Sequence, residues 1–284
     1  NLKDQSNRRY HLAWWAEEIG IKVLGDIRSS TISECRSKLK ITPSNFGKHI
    51  GKAKSDATIN RYLATLSALF SIAVREWGWL ESNPCENVRR AKEPRGRVRF
   101  LSDKERIDLL GACENSELPE LKIIVLVAIT TGARRGEIMN LRWRHMDLKS
   151  NRITLVDTKN GDNRAVPLVN PALKEIQYWA KVRNINEDGF VFPGRTDRTK
   201  DKPIDFDKAW REAIDFSGVT DFRFHDLRHT AASYLAMNGA GMREIGDILG
   251  HKSLSMVQRY SHLCDDHKKA TVERMTVAVF GEVI

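Results

Sequence analysis

Four short patches of this sequence carry side chains able to act on a phosphate. The first is TGARRGEI, residues 131–138. Its Arg134 follows a Thr-Gly turn at the expected start of a helix. There a guanidinium fork adds to the positive helix end and makes an anion site, with Glu137 close enough to orient it. Alone, an Arg at such a place is more often a surface ion pair. The second patch is Lys159 in the run Lys159-Asn160-Gly161-Asp162. Asn-Gly is a strong hairpin signal, and a lysine on a tight turn can be aimed into a cleft, although most turn lysines are simply solvated. The third is HDLRHTAAS, residues 225–233. His225 and Arg228 are three apart and share a helix face, while Leu227, Ala231 and Leu235 pack the opposite side. His225 and His229 also have the four-residue spacing of a zinc-protease pair. Asp226 stands where such a site has Glu, and no third ligand follows nearby, so no metal is expected. The fourth is LGHKSLSMVQRYSH, residues 249–262. Gly250 ends a helix, His251 follows, and Tyr260 comes nine residues later. Taken alone, a tyrosine there reads as half-buried packing.

The elements that must position these residues are mostly helical. The clearest runs from Ser55 to Trp77, with Ile59, Tyr62, Leu63, Leu66, Leu69, Phe70, Ala73, Val74 and Trp77 at the three-and-four spacing of one apolar stripe. Ser55 or Asp56 caps its start and Gly78 ends it. Arg8 to Ile19 gives an earlier helix with Leu12, Trp15, Ala16 and Ile19 inward, and a third lies around Thr31 to Leu39. Residues 1–88 therefore read as a small helical bundle. The segment RRAKEPRGRVR, residues 89–99, has six basic residues against one acidic residue, with a Pro and a Gly. It cannot form a core and reads as an exposed linker, either solvated or strapped along phosphates. The second domain spans 100–284. Ser102 and Glu105 form a capping box, a buried helix starts at Leu121, and strands run from Arg152 to Val156 and Arg164 to Leu168, with Lys159 in the turn between them. From Phe206 the chain reads as helical. The fold class is mainly α with a small antiparallel β-sheet.

Charge distribution points to the partner. Residues 1–99 hold 19 Lys and Arg against 10 Asp and Glu, while residues 100–284 hold 28 against 27. Such asymmetry indicates a nucleic acid or another anionic surface. No apolar run approaches the ~20 residues of a membrane span, so no membrane partner is expected. Cys35, Cys85, Cys113 and Cys264 form no CxxC pair and fit a reducing cytosol. The chain opens on Asn1-Leu2-Lys3-Asp4, without Met or a secretory pattern, and reads as a fragment or a processed chain.

Weak singly, the four patches are specific together. In the order Arg134, Lys159, His225 with Arg228, His251 and Tyr260, the sequence resembles the tyrosine recombinase (phage integrase) family. That family combines an Arg in TG-x-R-x-x-E, a hairpin Lys, H-x-x-R, a second His after Leu-Gly, and a Tyr about nine residues beyond. The resemblance covers nearly the whole chain. It implies a helical core-DNA-binding domain, a basic interdomain linker and an α+β catalytic domain. Ala133 stands where a larger apolar residue is common, which affects packing only.

The resemblance also implies a mechanism. Tyr260 attacks a backbone phosphorus and forms a covalent 3′-phosphotyrosine ester. Nearby guanidinium charge is expected to favour its phenolate. Arg134 and Arg228 clamp the non-bridging oxygens, and His251 donates to them. His225 orients the phosphate or accepts the tyrosine proton, Lys159 protonates the departing 5′-oxygen, and Glu137 supports the set. Two Arg and one Lys supply the positive charge, so no cofactor and no metal are expected. The partners implied are double-stranded DNA, a homotetramer on two DNA sites acting through a Holliday junction, and accessory DNA-bending or directionality proteins. The setting implied is the cytoplasm of a bacterium, with a prophage or mobile element as substrate. Arg89, Arg90, Lys92, Arg95, Arg97 and Arg99 are the candidate DNA contacts of the linker. The C-terminal segment from Lys268 offers an apolar stripe of Val272, Met275, Val279 and Phe280, for a neighbouring protomer or for its own domain. Two rivals share parts of this pattern: a type IB topoisomerase, and a DNA-binding protein with a silent site.

Overall fold

A computed structural model describes residues 5–43, 50–94, 97–156, 163–183, 185–251 and 253–281, the side chains of 264–270 excepted. Two compact units divide the chain, Asn1–Gly96 and Arg97–Ile284, each with its own core.

The first unit is a bundle of α1 (Gln5–Ile19), α2 (Ser29–Ile41) and α3 (Asp56–Arg75). Ser55 caps α3 by accepting the Thr58 N–H, which satisfies one of the orphan donors of a helix start. The α3 stripe of Ile59, Tyr62, Leu63, Leu66, Phe70 and Ala73 is buried. In length and composition α3 would suit a membrane span, contrary to the sequence expectation. Its stripe is instead taken up by the core, against Trp15 and Ile19 of α1 and Ile32 and Leu39 of α2. Trp15 donates its indole N–H to the Tyr62 carbonyl at 3.0 Å. Ala16, expected inward, is exposed, because the narrow inward edge of α1 is filled by the larger Trp15 and Ile19. The end of this unit is tied down by Asn60, 8% exposed. Its side chain donates to the Ala91 carbonyl at 2.9 Å and accepts the Ala91 N–H at 3.0 Å, as a neighbouring strand would.

In the second unit, α4 (Asp103–Glu114) starts at the expected capping box: Ser102 accepts the Glu105 N–H and Glu105 accepts the Ser102 N–H. Helix α5 (Glu120–Thr131) is apolar nearly all round and runs through the core, as a helix without a polar face must. The short α6 (Arg135–Met139) leads to a three-stranded antiparallel sheet of order β1 (Met146–Asp147), β2 (Arg152–Val156), β3 (Asn163–Pro167). Leu155 faces Arg164 across β2 and β3, and Ile153 faces Val166. Strand β1 has two residues, too few for any alternation to register in sequence. The turn carrying Lys159 lies outside the described residues. Then come α7 (Ala172–Val182), α8 (Asp207–Ser217), α9 (Asp226–Met237) and α10 (Met242–Leu249). Two 3-10 stretches, Leu254–Met256 and Gln258–Cys264, precede α11 (Asp265–Phe280). Helix α9 is central: it packs on α5, on α10 and on the 3-10 stretch that carries Tyr260.

Two turns fix the geometry around α9. Helix α5 ends at Gly132 with φ 62° and α10 ends at Gly250 with φ 67°, the left-handed conformation that glycine adopts without a Cβ clash. A Cβ on Gly132 would lie 3.2 Å from Leu249 Cγ and 3.4 Å from Ala231 Cβ, so this turn is also a contact of α5 with α9 and α10. We expect Gly132→Ala to destabilise the second unit by about 1–3 kcal/mol, from left-handed backbone strain plus crowding. Gly111→Ala, inside α4 with open space at its Cβ, should stabilise by about 0.5–1 kcal/mol. Urea unfolding of both variants checks the pair of signs.

Candidate active site

Arg228 anchors the site. It is 4% exposed, and its two terminal nitrogens donate to Gly132 O at 2.7 Å and Leu249 O at 2.6 Å. Both carbonyls belong to helix C-termini, where orphan acceptors and the negative end of the macrodipole coincide. Among the described residues no carboxylate forms an ion pair with it. Burial, reinforced by Arg134 and Arg164, pulls its pKa down to about 9. It therefore stays charged at neutral pH, held by two charge-assisted hydrogen bonds worth about 1.5–3 kcal/mol each.

Glu137 organises the second group. Its buried carboxylate accepts the Arg134 backbone N–H at 2.7 Å and Arg134 Nη1 at 2.8 Å. It also accepts both terminal nitrogens of Arg164, at 2.9 and 2.8 Å. Burial opposes its ionisation, but the Arg164 and Arg134 hydrogen bonds outweigh burial and hold the carboxyl below the usual range. Arg164 further donates from Nε to Ile248 O at 3.0 Å, and Arg134 Nη2 lies 3.5 Å from Gly250 O. Gly250 leaves room for this: a Cβ there would sit 2.9 Å from Arg164 Cδ and Nη1. Arg134 precedes a helix of only five residues. The positive charge at this point is thus the guanidinium's own, with little macrodipole behind it.

The histidines and Tyr260 close the set. Tyr260 lies in the 3-10 stretch Gln258–Cys264 and is 1% exposed. Its hydroxyl lies 2.5 Å from His229 Nδ1. The His225 and His229 rings stand 5.5 Å apart and nearly perpendicular at the head of α9. His251 follows the Gly250 turn, its backbone N–H bonded to Gly246 O at 2.8 Å. Its buried Nδ1 has no hydrogen-bond partner among the described residues. Burial, then the Arg228 and Arg134 charges, lowers His251 to about 4. Burial also lowers His229 to about 4 and depresses His225. All three imidazoles are neutral at pH 7. The tyrosine departs from the sequence expectation. Burial raises its pKa above the ordinary phenol value and outweighs the opposing pull of Arg259 and Arg228, so the phenol keeps its proton in this state.

Arg134, Glu137, His225, Arg228, His251 and Tyr260 thus meet around the α5, α9 and α10 ends. Lys159 and Arg95 lie outside the described residues. Among these residues no cluster of His, Cys, Asp and Glu could hold a metal. The basic segment divides. Arg89, Arg90 and Lys92 belong to the first unit, where they line a groove with Arg36 and Lys40 of α2. Arg97 and Arg99 belong to the second unit and are engaged there. Arg97 pairs with Asp221 at 2.7 Å and Asp226 at 3.0 Å, and Arg99 pairs with Glu105. Sequence reasoning did not select Arg36, Lys40, Arg164 or His229. Arg36 and Lys40 are four apart on one helix face, a signal that was present. Arg164 is 27 residues from Glu137 in sequence, and nothing local announces their pairing.

The phage integrase family model matches residues 99–267. A shufflon-specific DNA recombinase of Escherichia coli is 39% identical over 214 residues, which is 75% of this chain and 53% of the relative. An integrase of a Salmonella phage is 32% identical over 227 residues, 76% of this chain and 56% of the relative. The chain thus spans about half the length of these relatives. Among solved structures, an integrase of transposon Tn1549 in complex with a circular intermediate DNA has the same fold. Its TM-score is 0.74 at 17% identity, over 97% of this chain and 95% of that one. With a family model matched over more than half its length, the chain belongs to the phage integrase family, the tyrosine recombinases.

The Glu137 arrangement gives a stability test. Glu137→Gln leaves two guanidiniums without their common carboxylate, and we expect a loss of about 3–5 kcal/mol in urea unfolding. Adding Arg164→Met should return part of that loss, because the two sites are coupled. Additive losses would contradict the pairing.

Proposed function

We propose that this protein is a site-specific recombinase or integrase that cuts and rejoins double-stranded DNA through a covalent ester on Tyr260. One observation carries the reading. Arg228 and Arg134 reach the consecutive carbonyls of Leu249 and Gly250, in the turn from which the chain leads to His251 and Tyr260. Two fixed cations and the nucleophile's segment therefore share one structural root.

In this reading Arg134 and Arg228 hold the non-bridging oxygens of the five-coordinate phosphorus, a preorganised positive field of the kind that supplies most of the rate in such sites. His251 donates to the same oxygens and His225 orients the phosphate. Lys159 protonates the 5′-oxygen as it leaves. The ester preserves the bond energy, so a 5′-hydroxyl from a partner strand reseals the backbone without ATP. Two rounds pass through a Holliday junction, and the charge needed comes from side chains without a metal. The groove lined by Arg36, Lys40, Arg89, Arg90 and Lys92 is the phosphate track we assign to the first unit, the core-DNA-binding domain. The DNA-bound state of the transposon integrase supports DNA as the partner. Prophage or mobile-element integration and excision, in a bacterial cytoplasm with accessory bending or directionality proteins, is the setting we infer. Val272, Met275, Val279 and Phe280 are exposed on α11. That supports a role for this helix between protomers of a homotetramer.

Two outcomes are expected. Mixed in EDTA with nicked DNA carrying its attachment site, the protein should form an adduct stable on a denaturing gel, and Tyr260→Phe should form none; binding without an adduct would identify a silent DNA-binding protein. Removing residues 268–284 should preserve single-strand cleavage while abolishing tetramer assembly on paired sites, measured by native gel; unchanged assembly would sink the intersubunit role.

A further inference from the structure

We propose that His229, through Nδ1, takes the proton of the Tyr260 hydroxyl as the tyrosine attacks phosphorus. The proposal rests on Tyr260 being the nucleophile. The H-x-x-R pattern draws attention to His225, but the geometry points one helical turn further along α9. The Tyr260 hydroxyl lies 2.5 Å from His229 Nδ1, within the reach a general base requires. No other hydrogen bond to that hydroxyl exists among the described residues. Both partners are held in place. His229 follows Arg228 directly, on the helix that Arg228 fixes to two carbonyls. Tyr260 packs with Ala232, Ala236, Ile245, Leu249 and Val257, so its ring cannot swing freely.

The charges around His229 keep it a neutral acceptor until DNA arrives. On α9 it faces His225, Asp226 and Arg228, and on the 3-10 stretch it faces Arg259 and Tyr260. Burial dominates and lowers it to about 4, helped by His225, Arg259 and Arg228 and opposed by Asp226. Such an imidazole is a weak base, and Tyr260 stays protonated. A DNA phosphate seated on Arg134 and Arg228 brings negative charge to the same region. Negative charge nearby favours the imidazolium, so the substrate itself strengthens the base. The step balances. The Oη–H bond breaks toward Nδ1 while the Oη–phosphorus bond forms and the phosphorus–5′-oxygen bond breaks, the departing oxygen taking a proton from Lys159. Resealing reverses every transfer.

The test is single-turnover cleavage of the nicked substrate in EDTA from about pH 5 to 9, with wild type, His229→Asn, His225→Asn and Tyr260→Phe. Asn keeps a polar atom near the Nδ1 position but does not titrate. We expect His229→Asn to slow adduct formation by about 10²-fold or more. Its rate should climb with pH as hydroxide replaces the base, with DNA affinity in filter binding unchanged. His225→Asn should keep a titrating base limb in its profile, moved to higher pH because His225 helps to lower His229. A His229→Asn rate within about threefold of wild type, with the same profile, would overturn the assignment while leaving the Tyr260 reading intact. A low rate with an unchanged profile would make His229 a packing residue and also overturn it. Failure of wild type itself to form an adduct would overturn the strand-transfer reading and this inference together. Should His229→Asn lose DNA binding or its cooperative melt, His229→Gln is scored by the same criteria.

Discussion

The second unit is built around one buried cation. Arg228 has no carboxylate partner among the described residues, so its charge is balanced by two backbone carbonyls at the ends of α5 and α10. A guanidinium stranded away from water costs several kcal/mol, and each helix must therefore stop where its last carbonyl meets that guanidinium. Both helices end on left-handed glycines, and the turn at Gly132 packs close to Leu249 and Ala231. Core packing and charge placement impose the same three-way junction, and neither can shift without the other.

Around that junction the field is strongly one-signed. Arg134, Arg164 and Arg228 converge with Glu137 as the shared carboxylate. Burial, reinforced by these charges, keeps the neighbouring imidazoles neutral, and burial keeps the phenol protonated. The site in this state has surplus positive charge and an un-ionised phenol. An anion bound there would correct the first condition and raise the proton affinities of the groups beside it. Protonation of the site would thereby be coupled to anion occupancy.

Much of this was legible in the sequence, and the residues that were not share a reason. Caps and stripes are local: Ser55, Ser102 and the α3 stripe from Ile59 to Ala73 stand where their spacing places them, while Trp77, expected on the stripe, lies past the end of α3 and is exposed. Arg134, Arg228, His251 and Tyr260 could be picked because their spacing follows a family pattern. The Glu137–Arg164 pair joins α6 to β3, and no short-range rule connects them. His229 was visible only as half of a metal-like pair, because its partner, Tyr260, is 31 residues away. By composition the segment 89–99 reads as one exposed linker, either solvated or strapped along phosphates. Asn60 captures its first part, and Asp221, Asp226 and Glu105 capture Arg97 and Arg99. Composition reports charge, but where that charge is already paired depends on tertiary structure.

The 3-10 conformation around Tyr260 has a mechanical consequence. Hydrogen bonds in such a stretch are poorer than those of an α-helix, and runs this long are uncommon. The side chain of Tyr260 is packed, so the weakness lies in the backbone ladder of the stretch, whereas releasing Arg228 means opening two helix ends at once. The two halves of the site therefore belong to different levels of local stability. The half around Arg228 opens only with both helix ends. The half around Tyr260 has the weaker backbone and is the part of the site that yields first under stress.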